Sequence, residues 1–496
     1  HTTDKMDRDS EKSAGGAQHI PDLEPQQTNK SYYEQLSHDV SPEEGRKIIR
    51  RVDFRLVATV GVLYCVSLMD RTNLSAAAIA GMTKDLMLIG NRYSIVTLVF
   101  FVTYIVFQPP STIIIRKIGP RTHLSVITLL WGAVMIGFGF VKEWGQLAAL
   151  RIILGILEAG FFPSCVYLLS TWYTRYEVGK RYSCFYIIGC VASAFAGILA
   201  YGLMQMQGLA DLNGWRWIFI IEGILTCLVA IASYWLLVDF PDSKRASWKF
   251  LDDREKAYII ARVDADRGDA KVTAFSLGKF LRAGLDPKIW GYAMVFFNTT
   301  TVTYAIAYFL PIILNQNMGF DVGTSQCLVA PPYAFAGFIM YATGWVGDRY
   351  RIRGPIIIFN MVLAVIGLAI MGWHSNNNVR YFGVFFMTAG ANSNIPAAMS
   401  YQANNIRGQW KRAFCSATLV GFGGIGGIAG SLVFRSQDAP AYKPGLYACL
   451  ACCLLNIVLV CLLDTLFYFK NKAADRGEIT IEADEDDSQS TFRYTY

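Results

Sequence analysis

Apolar runs of about twenty residues recur along the chain, separated by short polar and often basic breaks. YSIVTLVFFVTYIVFQPPSTIII, THLSVITLLWGAVMIGFGFV and PIIIFNMVLAVIGLAIMGW are three of them. A helix rises about 1.5 Å per residue, so each run is long enough to cross about 30 Å of hydrocarbon. The pattern predicts an all-α membrane protein with twelve transmembrane helices near 56–82, 93–115, 122–141, 146–172, 182–206, 215–238, 288–314, 324–346, 354–373, 379–402, 412–434 and 445–468. Residues 1–45 are polar throughout, so the first span is expected to direct insertion.

The spans divide six and six around 239–287, the long polar interior segment. This predicts a cytoplasmic N-terminal tail (1–45), a six-helix bundle (46–238), a cytoplasmic bridge (239–287), a second six-helix bundle (288–470) and an acidic, solvated cytoplasmic tail (471–496). The bridge reads as amphipathic helix, with Trp248, Leu251, Ile259, Ile260 and Val263 on one face, and is expected to be a solvated or headgroup-lying connector. The halves repeat weakly at an offset of about 231 residues: IRKIGPR corresponds to GDRYRIRG, and TRYEVGKR to IRGQWKRA. Two similar six-span halves are the organisation of transporters that rock two bundles about a central site.

Composition agrees, since 53% hydrophobic and only 17% charged residues is more than a soluble core of this length needs. With both termini cytoplasmic, the tails, the bridge and the loops on that side hold about thirty basic residues against about seven on the other side. The net charge of +7 therefore reads as membrane anchoring rather than as a nucleic-acid surface. Eleven cysteines lie almost entirely within spans and read as packing residues, without disulfide or metal spacing. GFGGIGGIAG at 421–430 contains G-x-G-x-x-G, but no βαβ unit surrounds it; Gly423 with Gly427 and Gly426 with Gly430 read as close-packing helix faces. No G-x-x-x-x-G-K-[ST] loop occurs, so direct ATP chemistry is excluded. His123 and His374 lie near span ends and are expected to be interfacial. No nucleophile with a partner base emerges, so neither an enzyme, a metal nor a cofactor is expected.

Against this background SLMDRTNLSAA, at 67–77, stands out. Asp70 and Arg71 fall near the middle of the first span, and Arg151 and Glu158, seven residues apart, share one face of the fourth. A lone central charge costs about 2.5–3.5 kcal/mol, so these groups must face inward and pair. A static polar knot would satisfy that requirement. A functional centre does so too: an intramembrane acid carries a proton, and an arginine clamps a carboxylate with two parallel hydrogen bonds.

These residues resemble a known family. DRTNLSAA, Arg151 with Gly155 and Glu158, FFPSCVYLLSTWY, GWRWIFIIEG and YQANNIRGQWKRA together look like the fungal allantoate permease and nicotinate permease branch of the anion:cation symporters, within the major facilitator superfamily. The resemblance covers roughly 46–470 and implies a plasma-membrane symporter for a small organic anion, coupled to H+, acting as a monomer. It implies that Arg71 binds the substrate anion and loosens its hold on Asp70, that Asp70 and Glu158 exchange protons, and that Arg151 shifts between acidic partners. GWVGDRYRIRG resembles the superfamily signature G-x-x-x-D-R, which implies a gating latch of Asp348 with Arg349, Arg351 or Arg353. Other mid-span polar groups are packing or pocket residues: Tyr104, Asn298, Thr301, Tyr304, Asn392, Asn394 and Gln402, with Tyr104 and Asn392 favoured for the pocket by the resemblance. Glu222 is expected to be a packing residue. An uncoupled facilitator and a non-transporting nutrient sensor with a transporter body remain open.

Overall fold

The computed structural model describes residues 40–241, 243, 250–267, 277–407, 409–481 and 492–496. Trp248, residues 1–39 of the first tail and residues 482–491 of the acidic tail lie outside the described residues. Twelve long helices follow one another: α1 (Pro42–Asp85), α2 (Arg92–Ile118), α3 (Pro120–Phe138), α4 (Trp144–Trp172), α5 (Arg175–Met204), α6 (Gly214–Leu236), α7 (Pro287–Gln316), α8 (Ala330–Tyr350), α9 (Gly354–Trp373), α10 (Asn377–Asn405), α11 (Gln409–Val433) and α12 (Lys443–Asp475). No strand occurs among the described residues. Only helices satisfy their own backbone groups segment by segment in a bilayer, so this is what the apolar runs require.

Ten of these helices contain a stretch long and apolar enough to cross a membrane. The other two are α2, whose apolar part is the shorter Arg92–Gln108, and α10. The latter is diluted by its own buried polar side chains, among them Asn392, Ser393, Asn394, Gln402 and Asn405.

Packing repeats between the halves. In the first, α1 lies on α5, α3 on α6 and α2 on α4; in the second, α7 lies on α11, α9 on α12 and α8 on α10. Across the halves α5 meets α8 and α2 meets α11, a pair of contacts that exchange under the same relation. The glycine run in α11 serves both kinds of contact. A Cβ on Gly430 would lie 2.6 Å from the Thr301 carbonyl oxygen, and one on Gly426 would collide with Thr300, both on α7. Gly424 and Gly427 instead face Ile105 and Phe101 of α2. Of the two expected glycine faces, Gly426 with Gly430 is real, whereas Gly423 and Gly427 divide between α7 and α2. The eleven cysteines are free thiols.

The first and fourth spans depart from simple rods. α1 begins in an amphipathic turn capped by Ser41 and Glu44, which accept each other's backbone N–H at 3.2 Å, and it buries Ile48 and Val52. It passes through wide turns at Asp53–Val57 and Ala78–Met82. α4 breaks after Glu158 into Trp144–Glu158 and Phe161–Trp172.

The bridge is not free of the first bundle. Its segment Asp253–Arg267 packs on the bundle, buries Ile259 and Val263, and pairs Glu255 with Arg51 and Arg262 with Glu177. Nor is the last segment wholly solvated. Phe492–Tyr496 is docked at the basic end of the second half: Asn471 brackets the Tyr494 backbone with two 2.9 Å hydrogen bonds, and Asn405 brackets Thr495 at 2.7 and 2.9 Å. Lys288 donates to the Tyr494 hydroxyl at 2.6 Å.

Candidate functional site

The four charges predicted to face inward do so: Asp70, Arg71, Arg151 and Glu158 are all 5% exposed or less. Gly155 sets the approach of α4 to α2, because a Cβ there would collide with Phe100 and Thr103. That approach brings the Arg151 guanidinium over the rings of Phe100 and Phe138, at 5.8 and 5.6 Å.

Their pairing differs from expectation. Arg71 donates from Nε to Glu158 Oε2 at 2.9 Å and from Nη1 to the Tyr304 hydroxyl at 2.9 Å. Ser67 donates to the other Glu158 oxygen at 3.3 Å. The Arg71 guanidinium also lies over Phe100 and Tyr104, at 5.6 and 5.4 Å. Arg71 therefore holds Glu158, not Asp70. Successive residues of a helix project about 100° apart, so one points at α4 and α7 while its neighbour points at α3 and α6. Asp70 Oδ2 accepts from Trp131 Nε1 at 3.1 Å and from Thr226 Oγ1 at 3.3 Å.

Among the described residues Arg151 forms no ion pair in this state, and its Nε and Nη1 are buried without a hydrogen-bond acceptor. Arg71 Nη2 is likewise unfilled. Two guanidinium groups thus keep buried donors unused, and a carboxylate is the kind of group that completes them.

Of the further residues, Tyr104 and Tyr304 belong to this centre. Asn298 and Asn394 do not. Asn298 donates to Asn456 at 3.2 Å, and Asn394 accepts from Asn360 at 3.0 Å, both within the second half. Asn392 donates back to the Thr388 carbonyl of its own helix at 2.9 Å, Thr301 to that of Phe297 at 2.8 Å, and Gln402 to Ser416 at 3.4 Å. The residues that sequence reasoning missed are Trp131, Thr226, Ser67 and Phe100, whose signal is spatial rather than sequential. Asn73, inside the DRTN stretch, is the exception.

Of the three arginines offered to Asp348, one pairs with it. Asp348 pairs with Arg353 at 2.6 Å, while Arg349 is exposed, and the Arg353 N–H donates to the Tyr496 carbonyl at 2.5 Å. His123 is buried against Ser111 at 3.1 Å rather than interfacial, and His374 is exposed.

Away from the basic loops the halves are stitched together. Gln326 donates to the Ala76 carbonyl at 3.2 Å and Tyr93 to the Tyr308 carbonyl at 3.2 Å. Between these contacts and Arg71 lies a narrow cavity lined by Thr72, Asn73, Ser193, Ala307 and Tyr333.

Comparison with known proteins agrees with this architecture. Residues 60–431 match the Major Facilitator Superfamily. The MFS-type transporter cnsO of Penicillium expansum is 31% identical over 450 residues, covering 88% of this chain and 86% of that one. The high-affinity nicotinic acid transporter of Saccharomyces cerevisiae is 29% identical over 462 residues, 91% of this chain and 85% of that one. A bacterial homologue of the human lysosomal transporter Spinster, solved inward-facing and unoccupied, superposes with a TM-score of 0.60 at 14% identity, over 86% of this chain and 98% of that one. That match speaks for the fold alone. The chain belongs to the Major Facilitator Superfamily, a family of membrane transporters rather than enzymes, in the branch of fungal transporters that includes a high-affinity nicotinic acid transporter.

Proposed function

We propose that the protein imports a small organic anion bearing a carboxylate, nicotinate being the first to test, in symport with H+. The observation that carries this reading is the position of Arg71, held at once by Glu158 of the first half and Tyr304 of the second. An arginine shared by the two bodies that must rock is well placed to sense an incoming carboxylate. The substrate anion replaces Glu158 on Arg71 in a two-pronged contact, Arg151 lends its unused donors, and the released Glu158 takes up a proton, so loading leaves the net charge of the site unchanged. Asp70 is a second proton carrier. Tyr104 and Phe100 supply the flanking rings.

In this reading the basic end faces the cytoplasm, the membrane is the plasma membrane and the unit is a monomer. Closure of the opposite end by Gln326 and Tyr93 supports an inward-directed state. The test is uptake of labelled nicotinate by a permease-deficient yeast strain expressing the chain, at about pH 5 and about pH 7.5, with and without a protonophore. Accumulation at the lower pH that collapses with protonophore is the expected result. Uptake indifferent to both indicates a facilitator, and binding without flux in proteoliposomes indicates a sensor.

A further inference from the structure

A third acid lies behind the central pair. α1 and α6 run antiparallel and are joined by two rungs one helical turn apart. On the first rung Thr226 donates to Asp70; on the second the Asn73 amide donates to Glu222. Asp70, Asn73 and Glu222 are each 1% exposed.

Their hydrogen bonding does not balance. Asp70 Oδ1, Asn73 Oδ1 and Glu222 Oε1 are all buried acceptors without a donor. The titratable and charged groups packed around them are Arg71 on α1, Arg151 and Glu158 on α4, and Cys227 on α6. Arg71 is engaged by Glu158 and Tyr304, while Arg151, between Phe100 and Phe138, lies within electrostatic reach of Asp70 but forms no hydrogen bond to either acid. Two ionised carboxylates on neighbouring buried rungs would repel each other, with Arg151 the one nearby cation not already held by an acid. Single empty acceptors occur elsewhere, as on Asn360 and Gln326, but here three fall on two adjacent rungs. A protonated carboxyl becomes a donor, and one O–H on each acid is what the surplus of oxygens lacks.

We propose that Asp70 and Glu222 form a paired-carboxyl proton site between α1 and α6, and that Glu222 is a coupling residue of the transporter alongside Asp70. The proposal rests on the proton-symport reading above and extends it. Glu158 exchanges its arginine for the substrate anion, while the Asp70–Glu222 pair holds protons out of reach of the substrate, with Asn73, Thr226 and Trp131 as positioning residues. The proton balance is simple: each carboxylate gains an O–H on one side of the membrane and returns the same proton on the other.

The test has two arms. In the first, infrared spectra of the purified full chain in lipid nanodiscs are compared at about pH 7 for wild type, Glu222→Gln, Asp70→Asn and Glu158→Gln. Gln at 222 keeps an oxygen for the Asn73 amide, so the rung is preserved. Glu222→Gln and Asp70→Asn are expected each to lose part of the C=O absorption of protonated carboxyl groups, and Glu158→Gln to lose none. An unchanged band in Glu222→Gln overturns the proposal. In the second arm, proteoliposomes with an imposed pH gradient are given labelled nicotinate. Glu222→Gln is expected to equilibrate nicotinate without accumulating it, and accumulation equal to wild type overturns the coupling role. Absence of proton-linked nicotinate flux in wild type defeats the nicotinate symport reading instead, and the infrared comparison still decides whether the pair carries protons.

Discussion

The two halves pack their helices in the same pairs, yet their interiors are held by different chemistry. The first buries Asp70, Arg71, Arg151, Glu158 and Glu222 around the middle of the membrane. The second, among the described residues, buries its one charged side chain, Lys288, at the basic end, and ties its middle together with neutral amides: Asn298 to Asn456 and Asn360 to Asn394. Neutral amide pairs hold together without reference to any ion, even though Asn360 Oδ1 is left unfilled. Charges exchange partners. The difference teaches that a shared scaffold leaves the coupling chemistry free to settle in one half, with the other contributing Tyr304 as its point of contact.

Breaking the charged half should have the largest effect. Arg71→Met leaves Glu158 buried without its cation, a loss of about 3–5 kcal/mol that corresponds to uptake reduced on the order of 100-fold or more in the labelled-substrate assay. Glu158→Gln is expected to abolish accumulation against a gradient while retaining counterflow exchange, which separates proton coupling from substrate passage. Tyr304→Phe removes the hydrogen bond from Arg71 to the second half but leaves the Arg71–Glu158 pair intact. A hydrogen bond to a charged group contributes about 1.5 kcal/mol, so the apparent substrate constant should rise about 10-fold.

The neutral half is predicted to answer differently. Asn360→Leu strands the Asn394 oxygen and should lower thermal stability by about 1–3 kcal/mol in a fluorescence melt, with the pH dependence of uptake unchanged. A shifted pH profile in that variant would erase the contrast between the halves.

The smallest effect lies at the entry to α7, where Asp286 caps the helix and meets Lys411 at 2.7 Å and Lys288 at 3.4 Å. Burial alone would push this carboxyl up. The Lys411 hydrogen bond, the two ammonium charges and the Lys288 backbone N–H outweigh it and hold the group below the usual carboxylate range. Because the folded value is depressed, its contribution to stability is present above the unfolded carboxylate range and is lost as pH falls through the folded value. Lys411→Met should therefore flatten the acid side of the stability profile, with a modest drop in melting temperature at neutral pH.

Much of this was legible in the residues. Ten spans follow directly from length and apolarity, and the four central charges were expected inside because leaving them in lipid is costly. α10 also lay where the pattern placed it, although its amides dilute the signal. What could not be read was direction. The Arg71 partner, the seclusion of Asn298 and Asn394, the split duty of the glycines in α11 and the docking of Phe492–Tyr496 all depend on how each helix is rotated and what stands opposite.

The sequence by itself determined the number of spans, their division into two halves and the burial of Asp70, Arg71, Arg151 and Glu158 away from lipid, because transfer of a residue into hydrocarbon is a local, nearly additive quantity. The tertiary structure decided which acid Arg71 holds and left Asp70 facing Glu222, because one residue step turns a side chain by about 100° toward a different neighbouring helix, and pairing is a property of two surfaces at once.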